Sequence, residues 1–423
     1  MTEEFPRVRL QLLQRLHEHH GFDVLAFEGT ALGSWLAQDQ LYRLEEPLED
    51  RARRAQRLAW FGLWQTEPML EVMRYVAKSL GTPTPLYLSS FDVQPGASRA
   101  FDGSGAEALD ALFSAVTSYE PPTDPSDPAR WRDAIAPLLI CSRTGQQTPA
   151  ERQVAEQAVS ALEAWLARAS SVVGRLRAEQ HALGLQQIPV SLRASIELCM
   201  SAQGANLRTF QETRDALNTE RAIQLRDHVS RSHKVVLWAH HSHTNYNVTG
   251  SGPASMGQHL RERLADGVYN IGLFAGRGEA VEIRETSFFL PVVPRQIPPA
   301  RDFGVEGLLA SLRDDSYFVD LSSLRDNAAA FAPWFEPRSA RYEVSARKEQ
   351  VLARDFDAAV FVREVHAPRL LMLSDEYDRR LRFYGRLLDH WLATLAAATA
   401  AIAASVVAVR RVSGRLRRKK SAA

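Results

Sequence analysis

His240-His241-Ser242-His243 places three imidazoles within four residues, directly after the apolar run 234–238 (KVVLW). Three readings of that cluster stay open. The histidines could ligate a metal, with Glu28 or Asp92 completing the shell. They could act without metal, as bases or as donors to a developing oxyanion. They could also be a histidine-rich surface loop with no chemistry. Glu28 follows a second apolar run, 23–27 (DVLAF), and Asp92 and Gln94 follow a third, 85–89 (PLYLS). Either carboxylate could simply close a turn, Asp92 as an Asx turn. No Gly-x-Ser-x-Gly elbow is present. The glycines between 272 and 278 (GLFAGRG) lack both the Lys-Ser/Thr of a P-loop and helix-opening GxGxxG spacing.

Positioning these groups falls to alternating helices and strands. Leu10, Leu12, Leu13 and Leu16 recur at helical spacing and run into a Gly21 stop. Helical patterns also cover 53–80 and about 255–265. Short buried-strand patterns stand at 23–27, 85–89, 234–238, 269–274 and 358–362, the last ending near Glu364 and His366. Residues 104–230 are almost purely helix-favouring, broken at 119–128 and 145–149, and Pro294, Pro298 and Pro299 mark a connector. This grammar predicts an α/β fold: a mainly parallel sheet flanked by helices, with a large helical insertion as a lid and an extra C-terminal helix. The corresponding segments are 1–103, 104–230, 231–372 and 373–423. In open parallel sheets ligands bind beyond the carboxyl ends of the strands. Glu28, Asp92, Gln94, His240, His241 and His243 all belong there, and that convergence is stronger than any one of them.

Lys+Arg (51) and Asp+Glu (50) nearly cancel, which argues against nucleic acid as a partner. Cys141 and Cys199 cannot form a disulfide framework or a zinc motif, and read as two buried thiols in a reducing compartment. Residues 1–20 are charged and lack the apolar core of a secretory signal, so a cytoplasmic location is expected. The uncharged, alanine-rich stretch 391–409 precedes a basic run from Arg410 to Lys420. Association with an anionic membrane surface is physically easier for this tail than spanning. No cofactor is implied.

Together the motifs resemble the erythromycin esterase family, which also takes in succinoglycan biosynthesis-type proteins. Glu4-Phe5 and Arg9 match the Glu-Phe and arginine near the family's start, and residues 21–28 (GFDVLAFE) match its strand and glutamate. Trp64-Gln65-Thr66-Glu67 and Phe91-Asp92-Val93-Gln94 resemble two further signatures, and Arg214-Asp215 the start of the helix before the histidine strand. Trp238-Ala239-His240-His241-Ser242-His243 is similar to Trp-Ala-His-Asn-x-His, with His241 in place of the asparagine. Ser255-Met256-Gly257, Leu260, Tyr269, Ile271-Gly272 and Gly276 follow the same pattern.

The resemblance implies hydrolysis of a carboxylic ester or macrolactone by histidine-activated water without required metal, and a possible part in antibiotic resistance. It assigns Arg9 and Glu28 to orienting water or substrate. His240 and His243 would stabilise the tetrahedral intermediate or position the ester; Asp92, Gln94, His241 and Trp64 fall to substrate binding. The water-activating histidine of the family's opening Gly-Glu-x-x-His-Gly would stand immediately before Met1, together with the first strand. The expectation is therefore a start set too late or a truncated gene, and a chain inactive as written. A non-catalytic binding or scaffold relative is the alternative, and a metal-dependent hydrolase on His240 and His243 the third.

Overall fold

The computed structural model describes residues 2–59, 64–95, 106–140, 148–202, 205–246, 252–283, 292–300, 304–312, 314–340 and 348–371. The chain divides into two compact units, 1–282 with 294–370, and 283–293 with 371–423. The second consists almost entirely of residues outside the described set. The expected C-terminal helix, the apolar stretch 391–409 and the basic tail all lie there.

The chain opens with α1 (Glu4–His20), which buries Pro6, Leu13 and His17 and leaves Leu10, Leu12 and Leu16 half-buried. It stops at Gly21, where φ of 69° suits glycine best. Then come β1 (Val24–Thr30), α2 (Ala31–Leu41), α3 (Leu48–Ala59), α4 (Glu67–Ser79) and β2 (Tyr87–Asp92). The long helix-favouring stretch forms α5 (Ala106–Thr117), α6 (Asp127–Ile135), α7 (Pro149–Leu176), α8 (Glu179–Gln186), α9 (Ile188–Ser201) and α10 (Leu207–Gln224). β3 (Val235–Trp238), α11 (His241–Thr244), α12 (Met256–Leu264), β4 (Ile271–Ile283) and β5 (Val292–Ile297) follow. The remainder is α13 (Val305–Ala310), β6 (Ser316–Asp320), α14 (Ala332–Phe335), β7 (Arg338–Ala340), β8 (Lys348–Gln350), α15 (Leu352–Asp355) and β9 (Ala358–Val365).

The fold is mixed α/β. Its strands make three sheets among the described residues where one mainly parallel sheet was expected. The first is parallel, in the order β2-β1-β3; the second is β5-β4-β9-β6; the third pairs β7 with β8. β4 runs parallel to β9, but β6 is antiparallel to it, so the second sheet is mixed. Pro294, read as part of a connector, lies in β5 at the edge of this sheet, a place where a missing N–H is tolerated. The glycines of β4 serve packing. A Cβ on Gly276 would meet the Arg363 carbonyl oxygen at 2.6 Å, and Gly278, at φ 125°, passes the Val365 backbone more closely still.

The helical stretch shares a core with α2, the helix that follows β1. Leu32, Trp35 and Leu36 of α2 belong to the same buried cluster as Leu109, Phe113, Ile135, Leu162, Trp165 and Leu192. Cys199 in α9 is fully buried but disulfide-bonded, which overturns the reading of two free thiols. Cys141 lies outside the described residues. No helix of the described residues is long and apolar enough to cross a membrane.

Candidate active site

Register sets the site. β1 is central in its sheet and buried on both faces over 24–27, as its apolar run requires. Phe27 aligns with Ser90 on one side and with Trp238 on the other. The next residues of each strand, Glu28, Phe91-Asp92 and Ala239-His240, therefore emerge together at one carboxyl edge.

α10 packs against β2 and contributes two adjacent side chains to this edge. Consecutive residues on a helix point about 100° apart, so Arg214 and Asp215 serve different partners. Arg214 forks onto Asp92, Nε donating to Oδ1 at 2.9 Å and Nη2 to Oδ2 at 2.6 Å, and Nη2 also donates to Glu28 Oε1 at 3.0 Å. Asp215 Oδ1 lies 2.5 Å from His243 Nδ1. The other ring nitrogen, Nε2, is 3.5 Å from Glu28 Oε1. Glu28 Oε2 accepts the backbone N–H of His240 at 3.4 Å.

α1 brings Arg9. Its N-terminus is strapped to the end of β9, where the Glu3 N–H donates to the His366 carbonyl at 2.7 Å and the Glu4 carboxylate meets His366 Nδ1 at 2.7 Å. Phe5 and Val8 pack against Leu273, Val360, Val362 and Val365. Thus anchored, α1 places the Arg9 guanidinium 5.4 Å from the Trp64 ring centre and 5.8 Å from that of Trp238, with Nη2 donating to the Ala239 carbonyl at 3.3 Å.

Burial is the largest influence on Glu28 and would raise its pKa. The combined fields of His243, His240 and Arg214 outweigh it and bring the carboxyl down to about 2. On Arg9, burial prevails over the nearby Glu28 and lowers the guanidinium to about 10, still charged at neutral pH. Burial would lower Arg214 and His243. Asp92 and Glu28 overcome it for Arg214, and Glu28 with Asp215 for His243, so both are raised. The edge thus holds ionised carboxylates interleaved with cations that can face an anionic intermediate.

Of the residues read from sequence, Arg9, Glu28, Asp92, His240 and His243 are gathered here. Trp64 joins them through Arg9. Gln94 donates its backbone N–H to Asp92 Oδ1 at 3.1 Å, so Asp92 closes an Asx turn as well as binding Arg214. His241 is drawn elsewhere. Its Nε2 accepts the Leu273 N–H at 2.8 Å, and its ring packs 5.1 Å from Phe274 and 5.4 Å from Phe356. Among the described residues, no three His, Cys, Asp or Glu side chains are arranged to hold a metal ion. Sequence reading passed over Arg214 and Asp215 as site residues. Their signal was the match of Arg214-Asp215 to the family's helix before the histidine strand, which carried no role for either side chain.

A parallel sheet bearing buried acid, base and guanidinium groups at its carboxyl edge, beside a helical layer, defines an α/β protein with an enzyme-like site. The erythromycin esterase profile matches residues 17–365, and the chain belongs to that family. A relative in Bacillus subtilis (strain 168), YbfO, whose name is that of a hydrolase, is 21% identical over 387 residues, covering 86% of this chain and 81% of its own. Three solved structures share the fold. A Bacillus cereus protein has a TM-score of 0.62 at 14% identity, covering 88% of this chain and 87% of its own. A succinoglycan biosynthesis protein has 0.58 at 14%, with 87% and 86% covered. A histidine-to-asparagine mutant of the erythromycin esterase EreC, in its open conformation, has 0.57 at 17%, with 88% and 90% covered.

Proposed function

We propose that this site hydrolyses a carboxylic ester, with a macrolactone as the model substrate. The observation that carries the reading is the buried Glu28–Arg214–Asp92 ion-pair system, with His243 and Arg9 beside it, at the carboxyl edge of the parallel sheet. The ester carbonyl lies toward Arg9, His240 and His243. Attack of water moves the carbonyl π electrons onto oxygen, and these cationic or N–H-bearing groups stabilise the resulting oxyanion. Glu28, held ionised by its neighbours, orients water or substrate. The assay uses the full 423-residue chain.

The test is incubation with a 14-membered macrolide and with p-nitrophenyl esters, reading ring opening as the mass gain of one water by mass spectrometry. Hydrolysis that falls at least on the order of 100-fold in Glu28→Gln is expected. If the chain hydrolyses none of these esters, the hydrolase reading gives way to that of a binding relative. A role in macrolide resistance is read from growth of a sensitive strain expressing the protein. Contact of the basic tail with anionic membrane is read by co-sedimentation with phosphatidylserine vesicles.

A further inference from the structure

We propose that Asp215 is a positioning residue for this site: with Glu28 it holds His243 as an imidazolium and presents the ring's Nε2–H to the oxyanion of the tetrahedral intermediate. The inference rests on the ester-hydrolase reading for the identity of that oxyanion.

The geometry favours two protons on the ring. Nδ1 faces Asp215 Oδ1 at 2.5 Å and Nε2 faces Glu28 Oε1 at 3.5 Å. A neutral imidazole carries one N–H, so either tautomer would turn a lone pair toward a carboxylate oxygen. The imidazolium satisfies both nitrogens. The two contacts are unequal in a useful way. The short one fixes the ring, while 3.5 Å is too long for a strong hydrogen bond and leaves Nε2–H available to a ligand.

Asp215 is suited to this one task. Its side chain is buried, and among the described residues its carboxylate takes no hydrogen bond except from His243. The adjacent cation, Arg214, is directed away to Asp92 and Glu28. Among the described residues, the charged groups acting on His243 are Glu28 from β1 and Asp215 and Arg214 from α10, with Asp92 of β2 behind Arg214. α11 is a single turn with too few hydrogen bonds of its own to hold a ring rigidly, so orientation has to come from α10. In the reaction His243 keeps both protons. Water's oxygen bonds to the carbonyl carbon while its proton passes to solvent, the carbonyl electron pair moves to oxygen, and Nε2–H donates to it. Collapse of the intermediate re-forms the carbonyl and breaks the ester bond, the leaving alkoxide taking a proton from solvent.

The experiment is a ¹⁵N-histidine spectrum of the full chain across pH, with the His243 signals assigned by their loss in His243→Gln, repeated for Asp215→Asn. Asparagine keeps the shape and an acceptor oxygen but removes the charge. We expect both His243 nitrogens protonated at pH 7.5 in the wild type. In Asp215→Asn the midpoint should fall by one pH unit or more, a tenfold change in the charged-to-neutral ratio. The alkaline limb of kcat for ester cleavage should move down with it, with KM little changed. A neutral His243 at pH 7.5 in the wild-type chain overturns the proposal, even if the variant fails to fold. So does a folded Asp215→Asn with unmoved midpoint and limb. The ring's charge is read without turnover, so a chain that cleaves no ester while His243 shifts as predicted supports the pair and removes only the proposed reaction.

Discussion

At the scale of single residues, the site is organised by Arg214, which satisfies two carboxylates that would otherwise repel each other at the strand ends. Removing one partner of a buried ionic group strands the rest without compensation. Arg214→Met should lower stability at pH 7 by roughly 3–5 kcal/mol, read from urea unfolding, and the deficit should narrow as acid neutralises the stranded carboxylates. An unchanged midpoint would mean the ion-pair system contributes nothing net. Glu28 gives a second, pH-resolved expectation. Its folded pKa is depressed from 4.5 to about 2, so its contribution is fully present above 4.5 and is lost as pH falls toward 2. The stability difference between wild type and Glu28→Gln should therefore shrink over that window; a difference independent of pH there would contradict the assigned depression.

At the scale of elements, the positions of the short helices matter as much as the strands. α12 approaches α11 so closely that a Cβ on Gly257 would meet the Thr244 and Asn245 carbonyl oxygens, the latter at 2.8 Å. Backbone oxygens cannot swing aside as a side chain can, so α11, which carries His243, has to shift. Gly257→Ala should cost about 1–3 kcal/mol and lower esterase activity. Gly267→Ala, whose Cβ would make only an ordinary 3.6 Å contact with Leu264, serves as the control. Equal thermal midpoints for the two variants would show that α11 and α12 can part without cost. Much of this scale was legible: the apolar runs at 23–27, 234–238 and 358–362 became β1, β3 and β9 with small changes of boundary. Less legible were pairings. A buried run says that both faces are covered but not which strand lies alongside, so the division into separate sheets could not be read from it.

At the scale of the molecule, the helical stretch is more than a cover. Trp165 is buried between Trp131 and Phe113, with ring centres 5.4 and 6.0 Å away, and its indole N–H donates to the Glu120 carbonyl at 2.9 Å. Since α2 lies in the same cluster and also follows directly from β1, losing this core should be felt at the sheet. Trp165→Ala should destabilise by roughly 3–5 kcal/mol, and far-UV circular dichroism and tryptophan fluorescence should move together in one transition. Two separated transitions would show instead that helices α5–α10 fold independently.

The sequence by itself determined the alternation of helix and strand, the long helical stretch, and the strand-end placement of Glu28, Asp92 and His240. Those properties follow from the local periodicity of apolar residues and from where each run ends. It also carried the family resemblance through motifs spread over most of the chain. Only the tertiary structure decided which polar groups meet. Arg214 and Asp215 reach residues up to 186 positions away, and nothing local distinguishes a helix charge facing solvent from one facing a strand end. The same holds for the histidine cluster, where one ring is taken up by Phe274, Phe356 and the Leu273 N–H while its neighbour two residues on is held between two carboxylates. Identical side chains acquire different chemistry there because burial and partners, which are properties of the packed molecule, fix their protons and their charge.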